Sequence, residues 1–271
     1  MSPAPPLPPK SDRPFFLALG LLGGVYVAFI AALVVADFAA TSPTALGRAF
    51  ASADLRSAVW LSLLSSTAAA ILAVWAGVPL AYLLSRTRFP GKGLIELLVD
   101  VPIVLPPLVV GLSLLLLFQT AAGRWFESHA VPVTYAVAGV VLAQFTVSAA
   151  FAVRTLRVTF DALDPRTEGI ARTLGCTRAG AFWRVTLPEA RRGVVEAFTL
   201  AWARALGEFG PILVFCGATR GRTEVMSTAV FLELSVGNLD AAVAVSLLMI
   251  AVAVAVLVVL RAFGRRAGVR P

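Results

Sequence analysis

Six stretches of this 271-residue chain are each long and apolar enough to cross a lipid bilayer: residues 15–36, 57–85, 94–118, 133–153, 194–217 and 241–260. A helix needs about 20 mainly apolar residues to span the hydrocarbon core. Inside hydrocarbon every backbone N–H and C=O must find a partner within the protein, which restricts such segments to helices or closed barrels. Runs of this length predict helices, and the expected fold class is an all-α membrane protein with six transmembrane helices in one domain over residues 15–264. With 59% hydrophobic and 14% charged residues, little chain remains outside the bilayer for a separate enzymatic domain.

The ends read differently from the middle. Residues 1–14 begin MSPAPPLPP and predict a Pro-rich, disordered cytoplasmic tail, while residues 265–271 predict a short basic cytoplasmic tail. The first apolar run is longer than the roughly 7–15 residues of a signal-peptide core, so it reads as an uncleaved span. Net charge is +8, and its placement explains it better than a nucleic-acid partner does. When loops are assigned alternately to the two sides, 17 of the 23 Lys and Arg fall on one side and 5 on the other, with Arg204 inside a span. The positive-inside rule then predicts a multi-pass membrane protein with both termini, and the segment between the fourth and fifth runs, on the cytoplasmic side.

Two of the six runs are not plain. The third contains Glu96, Asp100, Pro102 and the pair Pro106-Pro107, and such prolines remove backbone donors and kink or break a helix. The segment reads either as the lining of a pathway, turned toward the bundle interior, or as a kinked structural helix with carboxylates near the interface. The fifth holds Glu196, Arg204 and Glu208. Arg204 and Glu208 stand four apart, on one helix face, and Gly207, Gly210 and Pro211 loosen the next turn. They form either a pathway or gate or an ion pair that fixes packing, and Glu208, which would repel an anion, fits a brace better than a ligand.

The apolar part of the segment before the sixth run covers only residues 225–236, a length typical of re-entrant or interfacial helices. Ser227 and Thr228 at its start could meet a tetrahedral dianion, or serve as ordinary turn and cap residues. Cys176 and Cys216 fall in a cytoplasmic loop and at the outer end of a span, so no disulfide is expected. The single His129 has no ligand cluster around it, and neither a metal site nor a catalytic residue is expected.

Between the fourth and fifth runs, residues 155–190 include EGIARTLGCTRAGAFWRVTLP. Glu168 to Leu174 reads as a short helix with Glu168 and Arg172 paired at i,i+4, and Gly175 stands where a helix C-terminus favours a left-handed residue. Thr177 is placed to cap a second helix through Phe182 and Val185, which Pro188 would close. The expected product is a helix-turn-helix knob whose Ile170, Leu174, Phe182 and Trp183 exceed what a loop this size can bury alone. Such a knob wants a partner groove.

The spacing Ala171, Gly175, nine residues, Val185, one residue, Leu187-Pro188 resembles the EAA loop of ABC-transporter importer permeases. The family's Glu-Ala-Ala stands here as Gly169-Ile170-Ala171, with a glutamate one place earlier at Glu168. Residues 88–111 and 202–217 resemble the molybdate/tungstate branch, with sulfate permeases close behind. The resemblance implies a coupling loop of Glu168, Ala171, Arg172, Gly175, Phe182, Trp183, Val185, Leu187 and Pro188, beside the candidate pathway or gate that the spans themselves offer at Pro106, Pro107, Arg204, Glu208, Gly210, Ser227 and Thr228. It further implies a homodimer, two cytoplasmic ATPase subunits carrying the ATP and magnesium, and an extracytoplasmic oxyanion-binding protein.

The chain itself contains no G-x-x-x-x-G-K-[ST], so it is read as a transport subunit without its own ATPase site. The expected function is ATP-driven import of molybdate or tungstate by alternating access. The alternatives are a sulfate/thiosulfate permease of the same family, or a motor-independent channel or secondary carrier. An intramembrane enzyme would need convergent nucleophile, base or metal residues, and none converge.

Overall fold

The computed structural model describes residues 12–41, 47 and 51–266, so most of the expected N-terminal tail and the last five residues of the basic tail lie outside the described residues. The regular elements of the described residues are all helices, without a strand. Four helices are long and apolar enough to span a membrane, and two bent pairs raise the number to six.

The first span is α1 (Arg13–Ala39), which lies against the last helix and otherwise leaves its apolar surface outside the bundle. The second is α2 (Ala53–Arg86), begun by Ser52, whose hydroxyl accepts the Leu55 amide. At about 1.5 Å per residue its 34 residues reach about 51 Å, so it projects beyond an ~30 Å core. Its buried face is a stripe of small residues, Ala58, Ser62, Ser66, Ala69, Ala73, Gly77 and Ala81, at three- and four-residue steps. Small residues let helix backbones approach in lipid, where no hydrophobic force drives helices together. That stripe packs on α6 (Val137–Ala162), the central helix of the molecule.

The third run breaks as its prolines predict, but more sharply than a kinked span. The helices α3 (Lys92–Val104) and α4 (Pro107–Gln119) meet at 115°. Contrary to the expectation of an interior-facing segment, α3 has no buried residue, and only α4 is set into the core, through Val110, Gly111 and Leu114. The carboxylates of α3 explain its position: Asp100 takes both arms of Arg154 at 2.8 and 2.9 Å, and Glu96 pairs with Arg157 at 3.0 Å. Both arginines lie on α6, so ion pairs add to the half-buried packing of Ile95 and Val99 in fastening α3 to the bundle. A short amphipathic α5 (Ala121–His129) follows, then a loop into α6.

After α6 come α7 (Pro165–Thr173), α8 (Arg178–Ala181), a π-helical segment (Phe182–Thr186), the single turn α9 (Leu187–Glu189) and α10 (Arg191–Leu206). A 60° bend leads into α11 (Gly210–Cys216). The short apolar run forms α12 (Met226–Ser235), and α13 (Leu239–Arg266) closes the fold. The N-terminus of α12 is pinned inside the bundle, since the Met226 amide donates to Ser62 Oγ on α2 at 2.8 Å.

Candidate functional site

The knob is built from local rules that its sequence carries. Asp164 accepts the Arg166 amide at 2.9 Å and Pro165 occupies the first turn, so α7 starts on a capped end. At the other end Gly175 takes φ 91°, the Gly175 amide donates to the Arg172 carbonyl, and the Cys176 amide to the Ala171 carbonyl. These two bonds are the Schellman pair, which closes a helix and reverses the chain at a left-handed residue. Thr177 then accepts the Gly180 amide at 3.1 Å and opens α8.

Two expectations about this loop need correction. Pro188 does not close the second helix. Residues 182–186 widen into a π turn, and Thr186 and Leu187 keep helical dihedrals through the proline into α9. The wide turn absorbs the hydrogen bond that proline cannot donate. The Ala190 amide then bonds the Thr186 carbonyl and the Val194 amide the Ala190 carbonyl, so the knob runs on into α10 as one helical arm.

Nor does Glu168 face Arg172. It is buried, its Oε1 accepts the Tyr82 hydroxyl of α2 at 2.6 Å, and its Oε2 accepts the Thr186 hydroxyl at 3.4 Å. A carboxylate under the knob with two hydroxyl donors is more strongly placed than an exposed helical pair.

This arrangement divides the apolar residues of the knob into two sets. Phe182 is half-buried, its ring 4.7 Å from that of Tyr82, and Tyr82 meets Phe160 of α6 in turn. Ala171 is buried, while Val185 and Leu187 are half-buried. Outside stand Ile170, Leu174 at 81% exposure and Trp183 at 66%. The expected partnership of Phe182 with Trp183 as joint anchors is therefore split: Phe182 braces the knob from within, and Trp183 is presented. Arg172 and Pro188 are exposed as well.

The residues expected along a pathway are brought into one region, though not all face one space. A Cβ built on Gly210 would lie 2.8 Å from Pro107 Cβ, and one built on Gly111 would lie 2.8 Å from Pro211 Cα. Each broken span thus offers a glycine to the other's proline, and only glycine permits that approach. At the α10–α11 bend, Arg204 Nη1 meets Glu208 Oε2 at 2.5 Å; Glu208 is 1% exposed and the guanidinium lies over the Phe151 ring.

Gln144 of α6, which the sequence reading passed over, donates to the Ala205 carbonyl at 3.1 Å, a carbonyl that also accepts the Glu208 amide at 3.2 Å, and so ties α6 to the end of α10. As the one amide inside the fourth apolar run, it carried a signal that could have been used. Tyr82, a hydroxyl near the end of the second run, carried a similar one. Ser227 donates to the Glu208 carbonyl at 2.7 Å, and Thr228 both donates to and accepts from Val225, which caps α12. Both hydroxyls are engaged by backbone, as cap residues are. Pro106 and Pro107 remain exposed.

No group of three His, Cys, Asp or Glu among the described residues is arranged to hold a metal ion. Outside the spans, Glu127 of α5 is held below the ordinary carboxylate range, chiefly by the Thr134 amide and also by that of Val133.

Residues 73–269 match the family described as binding-protein-dependent transport system inner membrane component. A probable molybdenum ABC transporter permease protein of Haloferax volcanii is 38% identical over 90% of this chain and 88% of its own length. The sulfate transport system permease protein CysT of Escherichia coli is 34% identical over 78% of this chain and 76% of its own. The fold matches a chain in the crystal structure of a bacterial alginate ABC transporter in complex with alginate pentasaccharide-bound periplasmic protein. That match has a TM-score of 0.75 and 17% identity, covering 94% of this chain and 96% of the other.

Proposed function

The chain belongs to the family of binding-protein-dependent transport system inner membrane components and is an ABC importer permease, and we propose that its cargo is a tetrahedral oxyanion, molybdate or tungstate. The cargo reading is supported by the relative named for molybdenum, which spans nearly the whole chain. The observation that carries the mechanism is the knob, where Leu174 and Trp183 are presented on a backbone locked from beneath by Glu168, Tyr82 and Thr186.

In this reading both termini are cytoplasmic, the knob docks into a separate cytoplasmic ATPase subunit, and two permease copies with two ATPases form the transporter. ATP and magnesium belong to the ATPase. Closure of the ATPases draws the knobs together, and the helical arm through the π turn carries that displacement along α10 to its bend at Glu208. Beyond the bend α11 is wedged to α4 at Gly210 and Gly111, so the two broken spans move as a unit and exchange inward and outward openings. Arg204, Glu208 and Gln144 hold the bend; Pro106, Pro107 and Gly210 form the pivot of the wedge.

Deletion of residues 171–187 tests the mechanism in liposomes containing permease and ATPase: transport is expected to stop while the bundle stays folded, and normal substrate-stimulated transport would refute it. Competition among labelled molybdate, tungstate and sulfate tests the cargo. Displacement of molybdate by equimolar sulfate would favour the sulfate/thiosulfate reading, which the likeness to the sulfate permease keeps in view. Uptake persisting in ATP-depleted vesicles under an ion gradient would instead indicate a motor-independent carrier.

A further inference from the structure

At the end of the bundle opposite the knob, the N-termini of α2 and α13 meet the flank of α12, through Ala229 and Glu233, and the segment before α12 around a cavity of about 290 Å³. Its charged lining is Asp54, Glu224, Glu233 and Asp240 with a single arginine, Arg220, and Ser52 and Asn238 add neutral polar groups. That arginine is already committed to Glu233 at 2.7 Å, and Asn238 also donates to Glu233 at 2.9 Å. Asp54 and Asp240 are exposed at the rim, whereas Glu224 is 5% exposed, and its Oε2 has no hydrogen-bond partner among the described residues.

A buried carboxylate oxygen without a donor is costly, and the cavity it lines is where a donor can enter. Burial pushes the Glu224 carboxyl above its ordinary value, Arg220 pulling it back and Asp54 and Glu233 adding to the rise. The N-termini of α2 and α13 offset roughly half a charge each, which still leaves the four carboxylates and one arginine with about two units of net negative charge.

That charge excludes the cavity from the cargo route, because an oxyanion would be repelled. The space is far larger than a dehydrated ion, and its carboxylates are too dispersed to share a metal. A cation with several donors on a planar fork fits walls supplied by three separate elements. Guanidinium has that form.

We propose that this cavity is the seat for an arginine side chain of the extracytoplasmic binding protein, with Glu224 as its buried acceptor and Asp54 and Asp240 as the attracting rim. The inference rests on the orientation and partner proposed above.

The test uses the full permease–ATPase complex in lipid nanodiscs and the cognate binding protein, with affinity measured at low and moderate salt. Glu224→Gln is expected to weaken binding at least tenfold. Asp54→Asn should weaken it less, and Ala241→Trp, which fills the cavity without changing its charge, as much as Glu224→Gln. Millimolar methylguanidinium should compete in the unaltered complex, beyond the effect of sodium chloride at equal ionic strength. Size-exclusion profiles and retained ATPase report that each variant is folded.

Unchanged affinity in folded Glu224→Gln and Ala241→Trp would overturn the proposal, as would the absence of competition by methylguanidinium. Competition by methylguanidinium with both variants binding normally would also overturn it, assigning the cavity to a free cation. If the unaltered complex retains ATPase but does not bind the binding protein, the partner reading itself fails.

Discussion

The knob end of the bundle presents large apolar side chains in the open on a backbone fixed from below, whereas the opposite end keeps a carboxylate at the floor of an acidic cavity. Leu174 and Trp183 are largely exposed, while Glu224 is almost wholly buried. The two designs suit different partners. Apolar docking is short-ranged and indifferent to salt, and it transmits force only if the backbone beneath it is held, as the Glu168–Tyr82 contact helps to do. Charge acts at a distance, speeds encounter and weakens with ionic strength, as suits a partner that must leave in every cycle.

Four measurements break or sharpen that contrast, beginning with one that should not respect it. Arg204→Met leaves Glu208 buried and alone at the α10–α11 bend, and breaking a buried pair in this way costs about 3–5 kcal/mol. Thermal unfolding in detergent should drop by several degrees or more, with both ends weakened together. A drop confined to one end would mean that the bend does not connect them.

Trp183→Ala should act at the knob alone, weakening ATPase binding by about 1–4 kcal/mol if the ring is an interface anchor. The loss should be nearly the same at about 0.05 M and about 0.3 M salt, between which the Debye length falls from roughly 14 to roughly 6 Å. Unchanged affinity in a pull-down titration would remove Trp183 from the interface.

Tyr82→Phe keeps the ring against Phe182 and Phe160 but takes the hydroxyl from Glu168. A hydrogen bond to a charged group contributes about 1.5–3 kcal/mol. The expected result is intact ATPase binding with less cargo moved per ATP hydrolysed, and an unaltered ratio would show that the strut is not needed for coupling.

The smallest effect belongs to Glu127, near the loop into α6. Because backbone amides depress its folded value, its stabilisation is present above the ordinary carboxylate value and is lost as pH falls through the depressed one. Melting temperatures of the parent and Glu127→Gln should therefore differ at neutral pH and converge in acid. A constant gap would mean that the amides do not prefer the charged form.

Much of the knob was legible because capping is local chemistry. Gly175 and Thr177 each act within a few residues of their own positions, and a sequence displays those neighbours; Asp164-Pro165, which starts the helix ahead of the expected Glu168, is a local signal of the same kind. The continuation through Pro188 was not legible, since a π turn depends on how Phe182 and Thr186 seat against α2 and Glu168. Glu168 itself was assigned the partner four residues away when its true donors come from Tyr82, far earlier in the chain, and from Thr186. In the membrane region the broken third and fifth runs could be read from prolines and glycines, but the direction of α3 could not. Its carboxylates are answered by Arg154 and Arg157 of α6, and nothing local to residues 92–104 announces that.

The amino-acid order alone determined that this chain is helical, lies in a bilayer and breaks at two places. Those properties follow from apolar length, backbone satisfaction in hydrocarbon and the stiffness of proline. Only the tertiary structure decided which apolar residues of the knob face outward, that Gly210 and Gly111 interlock the two breaks, and that Glu224 is left without a donor beside an acidic cavity. Each of these depends on side chains brought together from distant parts of the chain, where contact distance rather than sequence spacing sets the energy.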